Sequence, residues 1–174
     1  MSEKKTRIIF CRIGWAKYYD GRKNDIPVNG GAFNNENTGF EIYNFKEYSG
    51  MYYGYVRTQG RIHFEKIEKN YSDYAETMAD VLVVWFAKNP SGGQFIVGWY
   101  ENAILYKTRQ GIPNSILEER DSEKKIFLAK TAKAILIPEN KRTFKITGPG
   151  TNCIWYGNDV WKNKVLEYIN NYSR

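Results

Sequence analysis

The stretch Val81-Leu-Val-Val-Trp-Phe-Ala-Lys-Asn-Pro-Ser-Gly-Gly-Gln-Phe-Ile-Val-Gly-Trp-Tyr100 decides the fold. Val81 to Ala87 is a nearly unbroken apolar run, as expected of a strand buried on both faces. Asn89-Pro-Ser-Gly-Gly93 is a turn by composition. Gln94 to Tyr100 returns as a second strand, continued through Ala103-Ile-Leu-Tyr106. Gly98 inside that strand predicts a bulge, or close approach by a ligand or another backbone.

Working outward, more strands appear on both sides. Arg7-Ile-Ile-Phe-Cys-Arg-Ile13 reads as the first, with Trp15 to Asp20 as a short helical turn after Gly14. Gly39 to Phe45 and Gly60 to Ile67 alternate apolar and polar residues with the period of a half-buried strand. Met51 to Arg57 is aromatic and strand-prone. Between the first strand and Gly39, residues 22–39 are rich in Gly and Asn without periodicity, a pattern typical of functional or mobile loops. Ser72 to Ala79 reads as a turn or two of helix. Lys125 to Lys130, Ala134 to Ile137 and Asn152 to Tyr156 are short apolar segments, and Pro138 to Arg142 is a turn. The last element is a helix. Asn158 or Asp159 can cap it, and Trp161, Val165, Tyr168, Ile169 and Tyr172 share one face. The expected architecture is strand-rich α+β, with a few short helices and a C-terminal helix closing a curved sheet.

At 174 residues with 42% hydrophobic composition, the chain is of ordinary size for one domain, and residues 1–174 are expected to form a single one. Two cysteines, Cys11 and Cys153, do not make a disulfide framework, which fits a reducing cytoplasm. The apolar run Ile8 to Cys11 is too short for a signal peptide or membrane span. One histidine, His63, and two distant cysteines do not make a typical zinc site, so no metal or cofactor is expected. His63 reads as an exposed strand histidine, and no catalytic residue stands out; the chain reads as a binder, not an enzyme.

The net charge is +7 and the excess is uneven. Met1 to Asn24 holds seven bases against Glu3 and Asp20, and Lys124 to Lys145 holds seven against Glu139. Such stretches suit phosphate contacts. The aromatic content is 16%, and much of it is expected to fill the core, since aromatic side chains dominate core burial; the question is which rings are surplus to it. Trp85 shares a strand face with Val83 and Ala87, while Trp99 and Tyr100 face opposite ways. Neighbouring strands can then bring Trp85 and Trp99 together, with Trp15 joining at the end of the first strand, to form a stacking slot. Core filling is the competing role for each tryptophan singly.

The Val81–Tyr100 hairpin resembles the central hairpin of the PUA-like superfamily, which includes the EVE and YTH domains. Arg7-Ile-Ile-Phe-Cys-Arg-Ile-Gly-Trp15 resembles their first strand entering the pocket loop, and Ile135-Leu-Ile-Pro-Glu-Asn-Lys-Arg-Thr-Phe144 is similar to a late segment of such domains. Ile13-Gly-Trp15, Gly98-Trp-Tyr100 and Asn152-Cys-Ile-Trp-Tyr156 resemble an N-terminal domain found ahead of HNH-type nucleases that restrict modified DNA in bacteria. The chain departs from the family in lacking the Ser-Glu-Pro motif of EVE domains and the Lys-Ser motif of YTH domains.

The resemblance implies a small open PUA-like β-barrel and a modified-base reader that flips a methylated cytosine or adenine of DNA into an aromatic pocket. Trp15, Trp85 and Trp99 would be its walls, and Asn44 or Asn152 would read the base edge. Tyr43, Phe45, Trp155 and Tyr156 are further pocket candidates. Arg12, Lys17, Arg22, Lys23, Arg142 and Lys145 would hold phosphates. No nuclease motif follows before Arg174, so the chain is expected either to be an excised reader domain or to act alone, and any cutting would reside in a separate nuclease domain or subunit. RNA binding by a PUA-like protein, ASCH-type ribonuclease activity and protein interaction are the alternatives.

Overall fold

In the computed structural model, residues 5–29, 40–113 and 126–172 are described. The strands are β1 (Arg7–Ile13), β2 (Glu47–Tyr48), β3 (Met51–Gly54), β4 (Thr77–Lys88), β5 (Gln94–Gly111), β6 (Ile126–Thr131), β7 (Lys133–Leu136) and β8 (Ile154–Trp155). One helix, α1 (Asp159–Tyr172), follows β8. The strands form one open sheet in the order β2-β3-β6-β5-β4-β1-β8, with β7 also paired to β5. Only β1 and β4 run parallel among the described pairs, in register from Arg7 opposite Val81 to Ile13 opposite Ala87.

The central hairpin forms as the sequence predicts. In its turn the Asn89 N–H donates to the Gly93 carbonyl at 2.8 Å, and the Ser91 N–H donates to Asn89 Oδ1 at 2.9 Å. Gly92 and Gly93 take positive φ of 105° and 78°, which a side chain would oppose. Residues 81–87 of β4 are continuously apolar because both sheet faces are covered there. Val81, Val83, Trp85 and Ala87 join the core on one face, and Leu82, Val84 and Phe86 the core on the other. α1 covers the second face through Val165 and Ile169, each worth about 1.5–3 kcal/mol of burial. Its first turn is capped by Asn158 Oδ1, which accepts the Trp161 N–H at 3.0 Å.

Four local expectations fail for identifiable reasons. Trp15 to Asp20 is not helical. It is an irregular segment in which Trp15 is bridged to Val28, and the Asp25 carboxylate accepts the N–H groups of Lys17, Tyr18 and Tyr19 at 2.6, 2.7 and 2.9 Å. Those bonds supply from one side chain what a helix would supply from its own carbonyls. Residues 40–45 do not form a strand; Phe40–Tyr43 is a 3-10 turn whose alternation does not mark a wet face, since Glu41, Ile42 and Tyr43 are all buried. Gly39 lies outside the described residues. Gly60 to Ile67 is irregular, with a 3-10 turn at Phe64–Lys66. Its apolar residues Ile62, Phe64 and Ile67 cap the first core rather than line a strand. Ser72 to Ala79 makes no helix; β4 already begins at Thr77.

No helix among the described residues is long and apolar enough to cross a membrane.

Candidate nucleic-acid interface

The three tryptophans do not meet. In the β4–β5 register Trp85 lies opposite Gly98 and Trp99 opposite Val84. Directly opposed residues share a sheet face, so the two indoles lie on opposite sides. Both are fully buried, at 0% exposure. Trp85 packs edge-on to Tyr100 with centroids 5.2 Å apart. Trp99 packs under α1 against Tyr168 and Tyr172, and its Nε1–H donates to Glu101 Oε1 at 3.2 Å. Trp15 is 7% exposed, donates from Nε1 to Glu139 Oε2 at 3.1 Å and lies under the Arg142 guanidinium, 4.8 Å from the ring centroid. The expected tryptophan slot is therefore core. The sequence argument gave the correct faces for each strand but not the register that separates them.

Four other pocket candidates are also structural. The Asn44 amide is spent on backbone: Nδ2–H donates to the Tyr55 carbonyl at 3.0 Å, and Oδ1 accepts the Tyr55 N–H at 2.8 Å. Tyr100 adds a hydroxyl bond to the Asn44 carbonyl. Phe45 fills the space over Gly98, where a Cβ would come within 2.7 Å of its ring and would strike the Ile135 carbonyl. The close approach predicted at Gly98 is thus made by a neighbouring strand and a ring, beside a register shift in β4–β5. Tyr43 is buried, and Trp155 packs on Phe10 with centroids 5.0 Å apart.

The six predicted phosphate cations divide. Arg142 is buried and donates to the carbonyls of Ile137, Ala16 and Lys17 at 2.9, 2.6 and 2.9 Å, so it staples the loop after β1 to the segment after β7. Burial pulls its pKa down, opposed by Tyr19, Glu139 and Asp25. Arg12 reaches the Thr151 and Asn29 carbonyls at 3.4 and 3.2 Å. The buried Arg142 guanidinium lacks the freedom a phosphate ligand needs. Arg22 pairs with Asp20 at 2.6 Å and lies 3.6 Å over the Tyr18 ring centroid. Lys17 borders a groove with Tyr18, Leu136, Pro138, Glu139 and Asn140. Lys23 and Lys145 are exposed. Of the wider basic stretches, Lys4, Lys124 and Lys125 lie outside the described residues, as do residues 30–39 of the Gly- and Asn-rich loop.

Two predicted residues, Asn152 and Tyr156, do come together. They line a cleft of about 450 Å³ with Arg57, Arg61, His63 and Cys153. One wall is set by the sheet edge. β8 pairs with β1 at Phe10–Trp155 and Cys11–Ile154, and the Arg12 N–H extends that pairing to the Cys153 carbonyl at 2.8 Å. The other wall is residues 57–63. It is pinned by the Ile62 N–H to the Lys107 carbonyl at 2.8 Å and by Arg109 Nη2–H to the Thr58 carbonyl at 3.1 Å. Compared with known proteins, the chain matches no family model, no curated protein and no solved structure.

Polar groups make up much of the cleft lining. The Tyr156 oxygen accepts the His63 backbone N–H at 2.9 Å, which leaves the hydroxyl proton to donate elsewhere. Burial pushes the Tyr156 phenol pKa up, so it stays protonated at neutral pH. His63 Nδ1 lies 2.9 Å from Glu65 Oε1; with a carboxylate acceptor, Nδ1 is the protonated nitrogen. Asn152 brings a neutral amide, and Arg57 and Arg61 bring two guanidinium groups.

Arg57 and Arg61 are not singled out in the sequence and His63 reads there as an exposed strand histidine, because all three lie in stretches that read as strands. The signal that could have found them is Arg57-Thr-Gln-Gly-Arg61, two arginines flanking a Gly-containing turn. Among the described residues no group of His, Cys, Asp or Glu could hold a metal ion.

Proposed function

We propose that this chain is a nucleic-acid-binding module of the PUA-like kind, which takes an unstacked base into the cleft between residues 57–63 and 151–156. The preferred ligand is DNA carrying a methylated cytosine or adenine. The observation that supports this reading is the convergence of Tyr156, Asn152, Arg57 and Arg61 on one cleft of about 450 Å³. That volume is ordinary for a small-ligand site, about 300–1,000 Å³. A net charge of +7 favours approach to a polyanion.

Each group has a role. The Tyr156 ring offers a stacking surface, worth about 1–3 kcal/mol per base. The Asn152 amide and the Tyr156 hydroxyl supply donors and an acceptor for the base edge. Arg57 and Arg61 hold the flanking phosphates, which position the strand without reading it. Unstacking costs a few kcal/mol, recovered by stacking in the cleft and by hydrogen bonds to the base edge. Binding needs no chemistry from this chain, so cutting falls to a separate nuclease domain or subunit.

The test is fluorescence anisotropy on duplexes of one sequence, unmodified or carrying methylcytosine or methyladenine, with a matched RNA. Tighter binding to a modified duplex, lost in Asn152→Ala, supports the reading. Equal affinity for every duplex removes modified-base recognition. Tighter binding to RNA moves the assignment to an RNA-binding module, and RNA cleavage lost in Tyr156→Phe moves it to a ribonuclease.

A further inference from the structure

A second concave site, of about 240 Å³, is lined by Lys5, Arg7, Lys66, Lys69 and Lys162 together with Glu65, Ile67 and Glu68. Its carboxylates are engaged. Glu68 accepts Arg7 Nε–H and Nη2–H at 3.3 and 2.9 Å, and Glu65 accepts from His63 at 2.9 Å. Lys5 reaches Asp159 at 3.5 Å, with both groups largely exposed. Among the described residues, Lys66, Lys69 and Lys162 have no ion-pair partner. Three ammonium groups therefore border one small concavity without a matching anion.

The surroundings of Lys162 sharpen this imbalance. Its stem lies against Gly157, and partial burial followed by the nearby Lys5 charge depresses its ammonium pKa, with Asp159 opposing. Burial and like charge both disfavour the cation, and an anion between the lysines relieves both. The site also adjoins the cleft. Lys66 Nζ sits 5.3 Å from the centroid of the Tyr156 ring, and Glu65 bridges back to His63. The segments that carry the cleft residues His63 and Tyr156 thus lead directly to Lys66 and Lys162.

We infer that the Lys66–Lys69–Lys162 site binds a phosphate group, and that in the nucleic-acid complex this is a backbone phosphate flanking the nucleotide held in the cleft. The second half of this inference rests on the function proposed above. Ammonium groups suit the task, because a backbone phosphate needs point charges and not base-specific geometry. Lys69 and Lys162 are not among the residues lining the cleft, so their loss acts on long ligands and spares short ones.

The experiment uses the full chain and the double variant Lys69→Gln/Lys162→Gln, with thermal unfolding to verify an intact fold. Two probes are titrated across a range of salt: a set of single-stranded oligonucleotides of increasing length carrying the preferred base, and inorganic tripolyphosphate. The expected result is a salt slope for the longer oligonucleotides lower by about 0.7, the value for one phosphate contact on a single strand, with the shortest unaffected. Unchanged slope and affinity in the variant, while wild type binds the oligonucleotides, overturns the inference and leaves the cleft reading standing. If wild type binds no oligonucleotide but binds tripolyphosphate, and the variant does not, the phosphate site holds and the nucleic-acid reading falls. Binding of neither probe overturns both.

Discussion

The backbone N–H of His63 donates to the phenol oxygen of Tyr156 at 2.9 Å, across 93 residues of sequence. That bond joins the two walls of the cleft. It also makes Tyr156 serve the fold and the site at once.

Tyr156→Phe should therefore have two separable effects. Loss of the acceptor leaves a partly buried N–H unpaired and should cost about 1–3 kcal/mol, read by urea unfolding. Affinity for the preferred oligonucleotide should also fall. A variant with full stability and full affinity contradicts both roles.

Arg57→Gln and Arg61→Gln should leave stability nearly unchanged, since both residues are exposed. Each should lower the slope of log affinity against log salt by about 0.9 on duplex DNA. Arg142→Gln should behave in the opposite way. It removes a buried guanidinium that serves three carbonyls, and should destabilise by about 3 kcal/mol without a specific effect on the salt slope. A salt titration combined with denaturant unfolding separates the two classes.

Trp85→Phe and Trp99→Phe should reduce stability and leave ligand affinity intact in the folded fraction, because both rings are sealed on opposite sheet faces. Loss of affinity at wild-type stability in either variant would restore the tryptophan pocket.

Alkaline pH should weaken the fold. Burial raises the phenol pKa of Tyr19, Tyr55, Tyr156 and Tyr168 above the ordinary value of 10.0. A group with a raised folded-state pKa gives its full stability below the unfolded pKa and loses it as pH rises through the folded one. Stability should be level below about pH 9 and fall from about pH 10 upward. Tyr19→Phe should flatten part of that fall. A stability curve independent of pH across this range contradicts the burial of these phenols.

Much of the sheet was legible because its strands carry strong local signals. β1, the β4–β5 hairpin and α1 each combine an apolar pattern with a turn or cap that the structure uses. The short alternating stretches misled, because Ile42 and Tyr43 are buried in a 3-10 turn, and Ile62, Phe64 and Ile67 pack on the first core from an irregular segment and not from a strand face. The cleft was half legible. Asn152 and Tyr156 sit on the sheet edge whose apolar block was visible, but their partners Arg57, Arg61 and His63 arrive through single long-range bonds from residues 107 and 109. No local pattern encodes such bonds. The tryptophan slot failed for a related reason: strand alternation assigns each ring to a face of its own strand, whereas the cross-strand register decides whether two rings share one.

The most direct test of the central claim is an NMR titration of the isotope-labelled chain with an oligonucleotide carrying the preferred modified base. The account predicts that the amides of Arg57, Arg61, His63, Asn152 and Tyr156 shift first and saturate together, with those of Trp85 and Trp99 unmoved. Saturating binding that shifts other surfaces and leaves these five in place would contradict it.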